Sequence, residues 1–296
     1  MIPLVDIFCS IDDFCKHFEE CGGKNFIENP RRKRNRVYRM SLSEIMTIEV
    51  MFHFSHYRTF KDFYVNNILK NYREEFPQAV SYTRFLELKG SAFMPLVVFL
   101  LILGGEETGI YFADSTKLFV CDNLRIRRNK VFKNIAKRGK TSTGWFFGFK
   151  LHLVFNNKGE FMRFALTPGN VDDRTPIASM MKKLKGFLFA DRGYISKKLS
   201  QILDSQEVEL VTKVRRNMKP KPLSPLKSYL LSKRNMIETI IDQLKNMLHI
   251  QHTRHRSVMN FQINVLGGLL AYIFKPRKVS VPFHFFNRHH NLLTSS

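Results

Sequence analysis

The sequence predicts an α/β chain: a mixed sheet with flanking helices, preceded by a helical N-terminal region. Three observations predict it. Residues 1–108 carry apolar residues at helical spacing, whereas apolar runs bounded by turn residues follow from Gly109 onward. Two of those runs, Ile110-Tyr111-Phe112-Ala113-Asp114 and Gly186-Phe187-Leu188-Phe189-Ala190-Asp191, end on an aspartate. The chain also carries 48 Lys+Arg against 25 Asp+Glu, a formal net charge of +23. That excess specifies no fold, but it selects a polyanionic partner, with nucleic acid ahead of an anionic membrane surface.

In the first region, Phe8, Ile11, Phe14, Cys15 and Phe18 mark a helix. A basic run follows at Arg31, Arg32, Lys33, Arg34, Arg36 and Arg39, which is either a solvated loop or a phosphate contact. Ser41-Leu42-Ser43-Glu44 is a capping box that opens a helix to about Phe54. Phe60, Phe63, Tyr64 and Ile68 mark another, and a further helix starts at Ser81. Short helices with tight breaks suit a helix-turn-helix, with Tyr82 and Arg84 exposed on the reading helix; a plain helical bundle is the alternative. Phe93 to Leu103 is apolar but shorter than the roughly 20 residues a bilayer span takes, so it is expected to be a buried helix and no membrane association is expected. No basic leader precedes Asp6, Asp12 and Asp13, and the spacing of Cys9, Cys15, Cys21 and Cys121 fits no zinc site, which together point to the cytoplasm.

From Gly109, strands are expected over Ile110–Cys121, Gly144–Phe155 and Glu160–Leu166, the last two joined by the Asn156-Asn157-Lys158-Gly159 turn. Between the first two, Arg125, Arg127, Arg128, Lys130, Lys133, Lys137, Arg138 and Lys140 form a second basic stretch without any acid. Asp172 or Asp173 can cap a helix from Thr175 to Leu184, and Phe187–Ala190 is a strand. Ser196 caps a helix to Leu203, Val208–Val214 is a strand, and one long helix runs from Leu226 to His249. Strand, strand, strand, helix, strand, helix, strand, helix is the order of the ribonuclease H fold. The domain expectation is therefore a DNA-binding region over 1–108, a ribonuclease H-like domain over 109–275 and a tail over 276–296, with His284, His289 and His290 in the tail.

A charge at the end of a core strand needs a partner. Asp114 and Asp191 sit at two such ends. On the last helix Ile237, Ile241, Leu244 and Leu248 form a core stripe, with Arg234, Glu238 and Lys245 along its edge. Glu238 could simply pair with Arg234 at i,i+4. The element order instead places it beside the two aspartates, with Asp242 as the competing acid. Three carboxylates suit a hard cation such as Mg²⁺, and two such ions clamp an in-line displacement at phosphorus. Paired acids also serve glycosidases, but a strongly basic protein is a poor match to a neutral sugar. His249, His252 and His255 are expected to touch DNA backbone rather than metal. His152 and the single Trp145 are expected in the core, with base stacking as the alternative for the tryptophan.

These blocks resemble the DDE transposases of bacterial insertion sequences, closest to the insertion-sequence 982 family. The resemblance rests on Ala113-Asp114-Ser115, the segment Gly144 to His152, Thr167 to Arg174, Asp191 to Ser196, Lys233 to Glu238, Asp242 to Lys245 and His252 to Ser257. It implies that Asp114, Asp191 and Glu238 are the catalytic, metal-holding triad, served by Mg²⁺ with Mn²⁺ as a substitute. It also implies cleavage of double-stranded DNA at element ends, joining of the 3′-hydroxyl to target DNA, and a homodimer in synapsis. Arg234 and Lys245 match phosphate-contacting positions of related transposases, whereas Leu231 stands where those have tyrosine. Arg192, Lys150, Arg215 and Arg216 are the further DNA-binding candidates beside Tyr82 and Arg84. The competing function is a catalytically inactive, transposase-derived DNA-binding protein, and beyond it a structural RNA-binding protein.

Overall fold

The computed structural model describes residues 4–23, 39–141, 144–214, 217–218, 222–251 and 255–281. Most of the first basic run, Arg215, Arg216, His252, Arg254 and the tail histidines lie outside the described residues. In chain order the α-helices are α1 (Leu4–Phe18), α2 (Leu42–Phe54), α3 (Phe60–Phe63), α4 (Tyr82–Leu88), α5 (Phe93–Ile102), α6 (Ile177–Met180), α7 (Lys197–Asp204), α8 (Pro225–Ser232), α9 (Asn235–Asp242) and α10 (Val258–Phe274). The strands are β1 (Ile110–Cys121), β2 (Lys137–Thr141), β3 (Gly144–Asn156), β4 (Phe161–Pro168), β5 (Gly186–Ala190) and β6 (Val208–Thr212).

Two compact units share these elements. The helical unit holds Met1–Leu103, Lys130–Phe132 and Gln243–Pro276; the sheet unit holds Gly104–Asn129, Lys133–Asp242 and Arg277–Ser296. The sequence divides the chain at residues 108 and 275. The compact units divide instead at Leu103 and again at Asp242, because α10 packs on α2 and α5. α10 buries residues all round, from Phe261 to Tyr272, as a helix central to a bundle must.

In the helical unit, the expected capping box forms: Glu44 N–H donates to Ser41 Oγ and Ser41 N–H to Glu44 Oε2. α2 buries Glu49 and His53 as well as its apolar residues. Glu49 pairs with Lys89 at 2.6 Å, and His53 Nδ1 meets the Leu248 carbonyl at 2.6 Å. The 3₁₀ turn Lys89–Ala92 joins α4 to α5, so Tyr82–Ile102 is one helical run of 21 residues. By length and composition it is long and apolar enough to cross a membrane, unlike Phe93–Leu103 alone. Its Leu96, Phe99 and Leu100 are core residues of this unit, and Phe99 stacks 4.6 Å from Phe14.

In the sheet unit the strand order is β2-β3-β1-β5-β6, with β4 also pairing β3. β1 runs antiparallel to β3 and parallel to β5, and β5 runs parallel to β6. β2 takes the Gly144–Gly148 end of β3, and β4 takes the stretch from Phe149. β2 lies in the second basic stretch, to which the sequence assigns no element. It is an edge strand, where exposed Lys137, Arg138 and Lys140 are tolerated and discourage further pairing.

Strand alternation sends side chains to two layers. Tyr111, Ala113, Leu188, Ala190 and Val208 face Ile177, Met180, Leu199 and Leu203 of α6 and α7. Phe112 and Phe189 point the other way and stack at 5.4 Å. α8 packs on β5 and β6, and α9 on β1. Gly186 opens β5 at φ +119, where an added Cβ would lie 2.2 Å from the Gly109 carbonyl oxygen, so this position admits glycine alone.

Four expectations need correction. The helix after Pro176 spans only Ile177–Met180, and Asp172 does not cap it; its carboxylate is held by the Arg174 amide and guanidinium. The last helix is broken at Lys233–Arg234, where Met236 and Ile237 N–H groups reach back three residues to Lys233 and Arg234 carbonyls. A π-helical turn, Gln243–Met247, follows α9, and on α9 Ile240 rather than Ile241 is the buried residue. Trp145 is not a core residue: it is 54% exposed.

Candidate active site

Register brings the two aspartates together. β1 and β5 pair in parallel at Ile110–Phe187, Tyr111–Leu188 and Phe112–Phe189. Two residues further along each strand stand Asp114 and Asp191, on the same face as the Phe112–Phe189 stack. β5 stops at Ala190 and turns through Arg192–Tyr194, closed by Tyr194 N–H donating to the Asp191 carbonyl at 3.0 Å. β1 continues beyond that point, still paired to β3. The aspartates therefore sit where parallel pairing ends, the crevice at the carboxyl ends of strands that open α/β sheets use for ligands.

Glu238 reaches this face from α9, which buries Met236, Ile237 and Ile240 and exposes the glutamate. Its place in the first turn favours a carboxylate through the helix dipole. Arg234 joins the two elements. Its guanidinium donates to Asp114 Oδ2 at 3.4 Å and also to Glu238 Oε1. The arginine side chain is 14% exposed and that of Asp114 23%. The i,i+4 pair that would make Glu238 an ordinary surface residue is present, and the same guanidinium ties it to Asp114.

Electrostatics mark Asp114 as the tuned member. Burial pushes its carboxyl up to about 6; the Ser115 amide and Arg234 oppose the rise, and the charges of Glu238 and Asp191 add to it. The Ser115 N–H donates to Asp114 Oδ1 at 2.8 Å. All three carboxylates thus act on one point through space. Tyr194, buried in the layer that Tyr111, Ala113, Leu188 and Ala190 face, has no role that the sequence suggests, yet it lies within electrostatic reach of Asp114 and Asp191. Burial raises its phenol well above the ordinary value, with Asp114 next in effect, so the hydroxyl stays protonated beside the carboxylates. An aromatic with a polar tip three residues after Asp191 was the available cue.

On the opposite face His152 pairs across from Ser115 and bonds Thr167 Oγ1 at 2.8 Å. Burial lowers its imidazole to about 4, so it is a neutral packed residue. Lys150 pairs with Asp173 at 2.9 Å and donates to the Val171 carbonyl at 2.9 Å, so it pins the loop after β4. Arg192 is exposed in the turn after Asp191. Lys245 lies in the π-helical turn of the helical unit. In that unit Tyr82 is half-buried and Arg84 is exposed and paired with Glu87. Arg215 and Arg216 lie outside the described residues.

The donor set suits a hard divalent cation: oxygen ligands only, mutually repelling, with Arg234 as the cation between two of them. Among the described residues, however, no three His, Cys, Asp or Glu side chains converge closely enough to hold one ion. The arrangement has the right donors, and Arg234 stands where two of them would close.

The family comparison meets this geometry. The model of the transposase DDE domain matches residues 104–258, which include Asp114, Asp191, Arg234 and Glu238. Curated proteins give no match. A match over more than half of the chain, centred on a strand-end aspartate pair with a helix-borne glutamate, decides the family: the chain belongs to the DDE transposases, the proteins of DNA transposition and recombination.

Proposed function

We propose that this transposase cleaves DNA phosphodiester bonds at the ends of an insertion sequence and transfers the freed 3′-hydroxyl to target DNA. The observation that carries the reading is the placement of Asp114 and Asp191 two residues past Phe112 and Phe189, the last pair of the parallel β1–β5 register, with Glu238 linked to Asp114 through Arg234. The strand order supports a ribonuclease H-like core: three antiparallel strands, then two parallel ones, with helices on both faces. The insertion-sequence 982 family is the closest reading of the motif blocks.

Asp114, Asp191 and Glu238 would hold the divalent ions, Mg²⁺ or Mn²⁺. When bound, such ions supply Lewis-acid stabilisation of the attacking and leaving oxygens. The protein's own contributions follow from the geometry. The β1–β5 register fixes the two aspartates before substrate arrives, so little reorganisation is needed. Ionisation of Asp114 near pH 6 leaves the site anionic at neutral pH. Tyr194, its phenol held neutral by burial on the Tyr111 and Ala113 side of the sheet, adds no charge near Asp114. Arg234, released from Asp114 and Glu238, becomes a guanidinium for a phosphate oxygen at the same place.

The helical unit is assigned to DNA binding. Its basic N-terminal run and the formal +23 charge support double-stranded DNA as the partner. Work on two element ends makes a homodimer the expected assembly, in the bacterial cytoplasm. The test is Mg²⁺-dependent nicking of a duplex that carries the element's terminal sequences. Nicking by the wild type, lost in Asp191→Ala, supports the assignment. Tight end binding with no nicking under any divalent ion favours the alternative, an inactive transposase-derived DNA-binding protein.

A further inference from the structure

We propose that Trp145, with Arg138 and Lys140, forms a stacking site for an unpaired nucleotide near the end of the β2–β3 pair where one strand connects to the other. This goes beyond the cleavage site, because it rests on a surface that shares none of the three carboxylates.

The sequence pattern builds the site. Trp145 is opposite Lys140 in the β2–β3 register, so the two side chains share a face, and Arg138 lies on that face two residues away. The Arg138 guanidinium lies 5.2 Å and Lys140 Nζ 5.8 Å from the indole ring. The backbone is anchored and the ring is open: Asn123 Nδ2 donates to the Trp145 main-chain carbonyl at 3.0 Å, while the residue stays 54% exposed. The 3₁₀ turn Asn123–Arg128 against β3 adds Arg125, Arg127 and Arg128 and an apolar Leu124 that is 97% exposed. No acidic residue occurs between Asp122 and Glu160.

A large exposed aromatic flanked by two cations fits one ligand chemistry well. A nucleobase covers the ring while its phosphates meet the guanidinium and ammonium groups. In a duplex both faces of a base are already stacked, so the ring selects an unpaired nucleotide. Double-stranded DNA and other polyanions can satisfy only the charges.

Trp145 is the chain's single tryptophan, so indole fluorescence of the full-length protein reports this ring alone. Titrate the protein, with EDTA present to prevent cleavage, with a 20-nucleotide oligo-dT, a duplex of equal length, and heparin. The expected result is saturable quenching by oligo-dT that neither duplex nor heparin reproduces. Trp145→Ala, read by anisotropy of labelled oligo-dT, should weaken binding about tenfold, and Trp145→Phe should retain most of it. Arg138→Gln with Lys140→Gln should reduce the salt slope by about 1.4, the release expected for two single-strand phosphate contacts. Equal quenching by heparin, or unchanged oligo-dT affinity in Trp145→Ala, would overturn the proposal. Asp114→Ala should abolish nicking and leave the quenching intact, so failure of the cleavage reading and failure of this one are separate results.

Discussion

Arg234 reaches Asp114 Oδ2 at 3.4 Å while it also pairs with Glu238 on its own helix. One guanidinium thus satisfies carboxylates from a strand and a helix that would otherwise repel. Arg234→Gln removes that cation. Hydrogen bonds to charged groups contribute roughly 1.5–3 kcal/mol, so Mn²⁺ affinity should rise about tenfold, read from the paramagnetic signal of free Mn²⁺. An unchanged affinity would show that the arginine does not compete with the ion.

Asp114 should cost stability at neutral pH. Its carboxyl is raised from 3.8 to about 6 in the fold, so ionisation favours the unfolded chain. The cost is fully present above about 6 and disappears as pH falls below the unfolded value. Asp114→Asn should therefore be more stable than the wild type at pH 8, by about 1–3 kcal/mol, and the gap should close by pH 4. Urea denaturation at the two pH values measures it. A wild type more stable than the variant at pH 8 contradicts the burial argument.

The His152 ring should stay neutral far below the usual imidazole range, since burial lowers it to about 4. A depressed base contributes stability that is present above about 6.5 and is lost as pH falls toward 4. Imidazole NMR shifts should show His152 unprotonated at pH 5. Titration near 6.5 would mean that the ring is open to water.

Gly186→Ala should destabilise the sheet unit by at least about 2 kcal/mol, because a positive φ and a carbonyl contact are violated together. The melting temperature reads this. The strand that carries Asp191 starts here, so nicking should fall with it.

The Glu49–Lys89 pair lies wholly inside the helical unit, with side-chain exposures of 0% and 4%. Lys89→Met leaves Glu49 buried and unpaired, and the expected loss is about 3–5 kcal/mol. Glu49→Leu added to it should restore most of the loss in chemical denaturation. A mild single variant would mean that water already reaches the pair.

Much of this was legible in the sequence because local rules and tertiary demands agree. The Ser41 and Ser196 caps, the strands that carry Asp114 and lead into Asp191, and the Asn156–Gly159 turn each follow from a few adjacent residues. β2 leaves no strand signal in the sequence, since an edge strand can be largely charged and then shows no apolar run. The break before Asn235 and the π-helical turn after Asp242 were missed since periodicity averages over single-residue register changes. Trp145 differs from expectation because Phe146 and Phe147 beside it are buried, whereas Trp145 stands at the exposed start of β3 opposite Lys140 of the charged edge strand. That Arg234 contacts Asp114 as well as Glu238 was beyond the sequence, because i,i+4 spacing shows only the contact within the helix.

The central claim is that Asp114, Asp191 and Glu238 form one metal-dependent cleavage site. Its most direct test is the Mg²⁺-dependent nicking rate on element-end DNA for Glu238→Ala beside Asp242→Ala, two exposed acids one turn apart on α9. The account predicts loss of nicking, by 10³-fold or about that order, in the Glu238 variant, with wild-type behaviour in the Asp242 variant. Retained nicking in Glu238→Ala, or loss confined to Asp242→Ala, would contradict it.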